Sequence, residues 1–113
     1  MPITEWSDGI FIAELSDEPT FSEEMDGLMR RLAGLDPALP DVIVNMQSVS
    51  YLNSSNIAAL LKLRKKLLSE DARLRVCAVT DGVWSVLMTT GLDTVFDFTD
   101  DVATSLASLQ IDE

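Results

Sequence analysis

Along the chain, short apolar runs alternate with longer stretches in which apolar residues recur every three or four positions. The first run covers residues 9–15, Gly9-Ile10-Phe11-Ile12-Ala13-Glu14-Leu15. Its apolar side chains fall on both faces, the mark of a strand covered on both sides. Residues 3–6 read as a shorter strand pairing with it. Thr20-Phe21-Ser22-Glu23 has the form of a capping box, with Thr20 at the N-cap and Glu23 reaching back. Met25, Leu28, Met29 and Leu32 then follow helical spacing, with Arg30 and Arg31 off the stripe. Gly34, Pro37 and Pro40 end that helix in a loop.

The second half repeats the alternation. Residues 42–44, Val42-Ile43-Val44, form a short apolar strand. A helix over about 55–68 presents Ile57, Leu60, Leu61, Leu63, Leu67 and Leu68 as a broad apolar surface. Residues 73–79 read as a strand. Residues 82–89 read as a helix closed by Gly91, which suits the left-handed position after a helix. Residues 95–98 form a short last strand. Residues 100–109 form a final helix, with Asp100 and Asp101 at its positive end. Ile111-Asp112-Glu113 are expected to be loose. Strands alternating with helices imply crossover connections. The expectation is therefore an α/β fold, a single domain over 1–113 in which helices pack on a small mixed β-sheet.

The segment most suggestive of chemistry is Tyr51-Leu52-Asn53-Ser54-Ser55-Asn56, which joins an apolar strand to a helix. Serine and asparagine are leading N-cap types, so plain capping accounts for them. The same turn suits a phosphate, because free N–H groups and the helix dipole favour anions.

With its surroundings, this segment resembles the STAS family, the fold of bacterial anti-sigma factor antagonists. Members often show a hydrophobic strand, a short loop, an Asp-Ser-Ser-Gly-type motif and a helix. Here the stretch runs Val42-Ile43-Val44-Asn45-Met46-Gln47-Ser48-Val49-Ser50-Tyr51-Leu52-Asn53-Ser54-Ser55-Asn56. The strand Leu74-Arg75-Val76-Cys77-Ala78-Val79 is followed by a helix and then by Thr90-Gly91-Leu92-Asp93, similar to the family's turn before the last strand. The likeness covers roughly residues 9–110. It implies a STAS-like domain with Ser55 as phosphoacceptor and Asn53, Ser54 and Asn56 as its loop neighbours. It also implies a kinase that doubles as an anti-sigma factor, and a PPM-type phosphatase that removes the phosphate. The unphosphorylated form would bind the kinase and release sigma. The chain departs from the motif at Asn53, where many members carry Asp, and at Asn56, where they carry Gly. Asn56 adds a side chain where a partner's backbone would approach. A non-switching adaptor, such as an accessory subunit of a lipid-transport ATPase complex, therefore stays open beside the switch.

Charge narrows the partners. With 8 basic and 19 acidic residues the net charge is −11. Nucleic acid and anionic membrane surfaces need a basic footprint, so neither is an expected partner. Lys62, Arg64, Lys65, Lys66, Arg73 and Arg75 cluster on one helix and the strand after it. They read either as a solvated face or as a docking face for an acidic partner, with Lys62, Lys65 and Lys66 as its candidate residues. Trp84 and Met88 lie four apart, off the inward stripe of Val83, Val86, Leu87 and Thr90. They cap the core edge or form a partner patch. Trp6 reads as an edge or packing residue. A homodimer stays open.

Catalytic signals are missing. The sequence has no histidine, which removes Ser-His-Asp and Cys-His systems and His-based zinc sites. Its five glycines form neither a G-x-G-x-x-G nor a Walker A pattern. No cofactor, metal or catalytic residue is assigned. The acidic pairs Asp17-Glu18, Glu23-Glu24 and Asp100-Asp101 read as helix starts and solvated loops. Cys77 reads as a small core residue. No secretory signal or membrane-spanning run is seen, so the expected location is the cytoplasm.

Overall fold

A computed structural model of the chain describes residues 3–111. Its elements are β1 (Ile3–Ser7), β2 (Ile10–Ser16), α1 (Thr20–Ala33), β3 (Asp41–Ser48), α2 (Ser54–Ser69), β4 (Leu74–Cys77), α3 (Asp81–Thr89), β5 (Phe98–Thr99) and α4 (Val102–Ile111), with a 3₁₀ turn, Leu92–Thr94, before β5. The strands lie in the order β1-β2-β3-β4-β5. β1 pairs antiparallel to β2, and the remaining pairs are parallel. The sheet is mixed, as expected, its antiparallel part being the β1–β2 pair.

Side-chain alternation along the strands builds two unequal cores. Phe11, Ala13 and Leu15 of β2, Val42, Val44 and Met46 of β3, and Leu74 and Val76 of β4 face one side. There they join Met25, Leu28 and Leu32 of α1, Leu60, Leu63 and Leu67 of α2, and Val83 and Leu87 of α3. On the other side Ile10, Ile43 and Cys77 meet Leu109 of α4. Fully burying a side chain of this size contributes about 1.5–3 kcal/mol. Burial raises the thiol pKa of Cys77, which suits an inert core residue.

Several elements differ from expectation. Thr20 is not an N-cap and Glu23 does not reach back: the N-cap is Pro19, with no side-chain bond. Glu18 serves the turn instead, accepting from Ser22 N (2.8 Å) and Ser22 Oγ (2.7 Å). β3 runs on to Ser48 because β2 pairs with it as far as Ser16. β4 stops at Cys77, where Ala78 turns to φ 56° and breaks the extended backbone. β5 lies later than residues 95–98, because the 3₁₀ turn takes Leu92–Thr94 and sends Phe96 into the core. α4 starts at Val102, and Asp101 Oδ1 accepts from Thr104 N at 2.8 Å across its first turn. Ile111 is helical although exposed, whereas Asp112 and Glu113 lie outside the described residues, as do Met1 and Pro2. Gly91 adopts φ 76°, the left-handed conformation expected of it.

Candidate functional site

Between β3 and α2 the chain is pinned by two buried apolar anchors, Val49 and Leu52. The residues between and after them are pushed outward: Ser50, Tyr51, Asn53, Ser54 and Ser55 are exposed, Tyr51 at 61%. α2 then begins with Asn53 as N-cap in extended conformation. Asn53 Oδ1 accepts from Asn56 N at 2.8 Å, and Asn56 Oδ1 accepts from Asn53 N at 3.1 Å. The two asparagines thus form a reciprocal capping box, here instead of at Thr20. Ile57 N bonds Asn53 O at 3.1 Å. Of the donors a helix start leaves open, the N–H groups of Ser54 and Ser55 remain without a hydrogen-bond partner among the described residues. Both hydroxyls and both N–H groups therefore sit at the positive pole of a 16-residue helix.

Asn56 does not stand out toward a partner, as its position in the motif led one to expect. It is 2% exposed, and its Nδ2 donates to Glu18 Oε2 at 2.9 Å. That bond ties the start of α2 to the β2–α1 loop. Asp17, next in that loop, accepts from Ser50 N (2.9 Å) and Ser50 Oγ (2.7 Å). The β4–α3 loop closes the third side, where Thr80 Oγ1 donates to Val49 O at 2.8 Å. A Cβ on Gly82 would lie 2.3 Å from Ser50 O, so only glycine lets α3 approach this closely. Three loops at the carboxyl ends of parallel strands converge on the serine turn, the usual position of binding sites in such sheets.

Hydrogen bonds set the electrostatics of the rim. Ser50 holds the Asp17 carboxyl below the usual carboxylate range. Ser22, and to a lesser degree Asn56, do the same for Glu18. Two firmly ionised carboxylates thus border a helix pole that attracts anions. Among the described residues no group of three potential metal ligands occurs.

The basic cluster read from the sequence divides. Arg75 is buried under α4, with Nε donating to Ser108 Oγ at 3.0 Å and a guanidinium nitrogen 3.5 Å from Asp97. It alternates with Leu74 and Val76 on a strand covered on both faces, so it cannot belong to a docking face. Arg73 is paired with Asp41 at 3.0 Å. Lys62, Lys65 and Lys66 stay on the outer side of α2, with Lys66 bound to Asp36. Trp84 and Met88 are exposed at 38% and 57%, and the Trp84 ring stands edge-on to Phe98 at 5.2 Å. Thr90, expected inward with Val83 and Leu87, is exposed, and its hydroxyl bonds back to Val86 O. Of the two readings of Trp6 the edge one holds, since it is exposed on the edge strand β1.

Sequence reasoning gave Asp17 and Glu18 only as a helix start or solvated loop, and assigned no role to Ser50, Thr80 or Gly82. A glycine at the second position of a helix, where it weakens the helix, was the one local signal for the last of these.

The STAS domain family model matches residues 2–105. Among solved structures, an anti-sigma-factor antagonist (STAS) domain protein from Planctomyces limnophilus is 16% identical. The alignment covers 96% of this chain and 96% of that one, with a TM-score of 0.81. A sulfate transporter family protein from Wolinella succinogenes is 19% identical over 93% of this chain and 88% of that one, with a TM-score of 0.77. The phosphorylated form of the Bacillus cell fate determinant SpoIIAA is 12% identical over 95% and 96%, with a TM-score of 0.69. Likenesses at these identities establish the fold. No curated protein matches the chain.

Proposed function

The chain belongs to the STAS domain family, and we propose that it is a protein-binding regulator of the anti-sigma factor antagonist type. In this reading it binds an anti-sigma factor with serine kinase activity, Ser55 receives the phosphate, and a PPM-type phosphatase restores the binding form. The observation that carries the reading is the start of α2. Two exposed serine hydroxyls stand beside two unpartnered N–H groups, on a turn braced by three loops. Solved relatives of the same fold include SpoIIAA in its phosphorylated form.

The switch works by charge and bulk, without unfolding. Phosphorylation adds about −1.5 to −2 charges and three acceptor oxygens. The helix pole tolerates that charge, while Asp17 and Glu18 make the rim still more negative. A partner packed over Tyr51 and the serines then meets a hydrated dianion and loses its seat. The domain needs no catalytic group or cofactor of its own in this scheme, because the partner supplies the nucleotide.

A second reading is the non-switching adaptor. It draws on the capping box itself, because Asn53 and Asn56 satisfy each other and Glu18 without any phosphate. The sulfate transporter relative is also a reminder that the fold serves transport proteins.

One experiment separates the two. Wild type and Ser55→Asp are used as bait in native lysate, and the retained proteins and phosphosites are read by mass spectrometry. The switch predicts a histidine-kinase-like ATPase held by wild type, weakened with Ser55→Asp, and phosphate on Ser55. Phosphate on Ser54 alone refutes the residue assignment. No phosphate on either serine, with binding indifferent to Ser55→Asp, leaves the adaptor.

A further inference from the structure

Outside the serine turn, the feature that stands apart is the groove between α1 and α2. Two adjoining hollows of about 320 and 330 Å³ share Met29 and Lys62. Half-buried Met29 and Ala59 contribute to the lining, and Arg30, Lys62 and Lys65 stand around it. Asp26 is the one carboxylate among the lining residues. Of the 8 basic residues of the chain, Arg31, Lys66, Arg73 and Arg75 form ion pairs. The others, Arg30, Lys62, Arg64 and Lys65, make no ion pair among the described residues. All but Arg64 line this one groove. In a molecule of net charge −11, unneutralised cations gathered beside half-buried methionine are a local reversal of sign.

We infer that this groove is a second docking site, and that its occupant is an acidic amphipathic helix of a partner protein. Charge complementarity selects an acidic segment. The geometry selects a helix: two helices side by side leave a trough for a third, and methionine adapts to varied apolar side chains. On α2 the lining runs from Ala59 to Ser69, a rise of roughly 15 Å or about three helical turns. The site lies along the body of α2, away from its N-terminal serines, so it does not rest on phosphorylation. A partner engaging both sites would keep a hold on the domain after the serine contact is lost.

The test is fluorescence anisotropy with a labelled peptide of about four helical turns, carrying leucines on one face and glutamates on the other. Saturable binding is expected, with Kd below about 100 µM. The double variant Lys62→Gln/Lys65→Gln should weaken it at least about tenfold, and raising salt toward about 0.3 M should weaken it further. Ser55→Asp and Arg64→Gln should leave it unchanged. The result overturns the proposal if the peptide does not bind, or if a scrambled peptide of equal charge binds as well. It does so too if Arg64→Gln costs as much as the groove variant, since attraction is then general. Concentration-dependent self-association in sedimentation, abolished by Lys62→Gln/Lys65→Gln, would overturn it in favour of a second copy of the chain.

Discussion

Asn56 occupies the third position of α2 and does two jobs there: it accepts from Asn53 N and donates to Glu18. Replacing it removes a nearly fully buried side chain and leaves the partly buried Asn53 N–H and the exposed Glu18 carboxylate each short of a partner. Asn56→Ala is therefore expected to lower unfolding free energy by about 1–3 kcal/mol in urea titration. Asn56→Gly, which moves the turn toward the family motif, should cost at least as much, because glycine also weakens the helix. Asn53→Asp keeps the capping acceptor and should be close to neutral. A stable Asn56→Gly variant would show that the bond to Glu18 is dispensable. Gly82 makes the complementary case. Its Cα hydrogen faces Ser50 O, and a methyl group there would sit 2.3 Å from that oxygen. Gly82→Ala should destabilise by about 1–3 kcal/mol, as overpacking does, even though alanine favours helices. An alanine variant as stable as wild type would contradict the close approach.

At the scale of elements, α3 shows how one short helix divides its labour. Val83 and Leu87 point into the main core, while Trp84 and Met88 lie on the flank. Leu87→Ala should cost about 2–5 kcal/mol. Trp84→Ala removes one edge-on ring contact from a side chain already 38% exposed, so about 1–2 kcal/mol is expected. Chemical denaturation of both variants decides the matter. A loss at Trp84 equal to that at Leu87 would place the indole in the core and withdraw it as a partner contact. The α2 helix divides along its length instead. Its first turn presents the serines, and its later turns present Lys62 and Lys65 above the groove with α1.

For the whole molecule, the acidic surface and the loop bonds act in opposite senses as pH falls. Asp17, Glu18 and Asp101 titrate below the ordinary carboxylate range because each accepts hydrogen bonds in the folded state. A group depressed in this way stabilises the fold fully above its unfolded pKa, and that share is lost as pH falls through its folded value. The stability difference between wild type and Glu18→Gln should thus be largest near neutrality and shrink below the ordinary glutamate range. Urea titrations from about pH 7 to pH 3 would show it. A difference independent of pH would mean that Glu18 acts through shape alone. Meanwhile the net charge of −11 adds self-repulsion that eases on acidification, which is why the comparison is made between variants.

The element order was legible in the sequence, because periods of two and of 3.6 are written in each local run. Helix α2 was placed to within a residue at either end, and Gly91 was correctly assigned a left-handed turn. The family likeness points to Ser55, which lies exposed in the first turn of α2, and its role as phosphoacceptor belongs to the proposed function. What local pattern could not supply was anything that depends on two distant segments meeting. The bonds from Asn56 to Glu18 and from Ser50 to Asp17, which tie the start of α2 to the β2–α1 loop, are of that kind. Arg75 looked like one more surface cation until β4 took its place between β3 and β5 with α4 above. Charge is a property of residues and can be counted along the chain. Which charges stay unpaired, and which of them share a groove, is decided only by the tertiary packing that fixes distances between them.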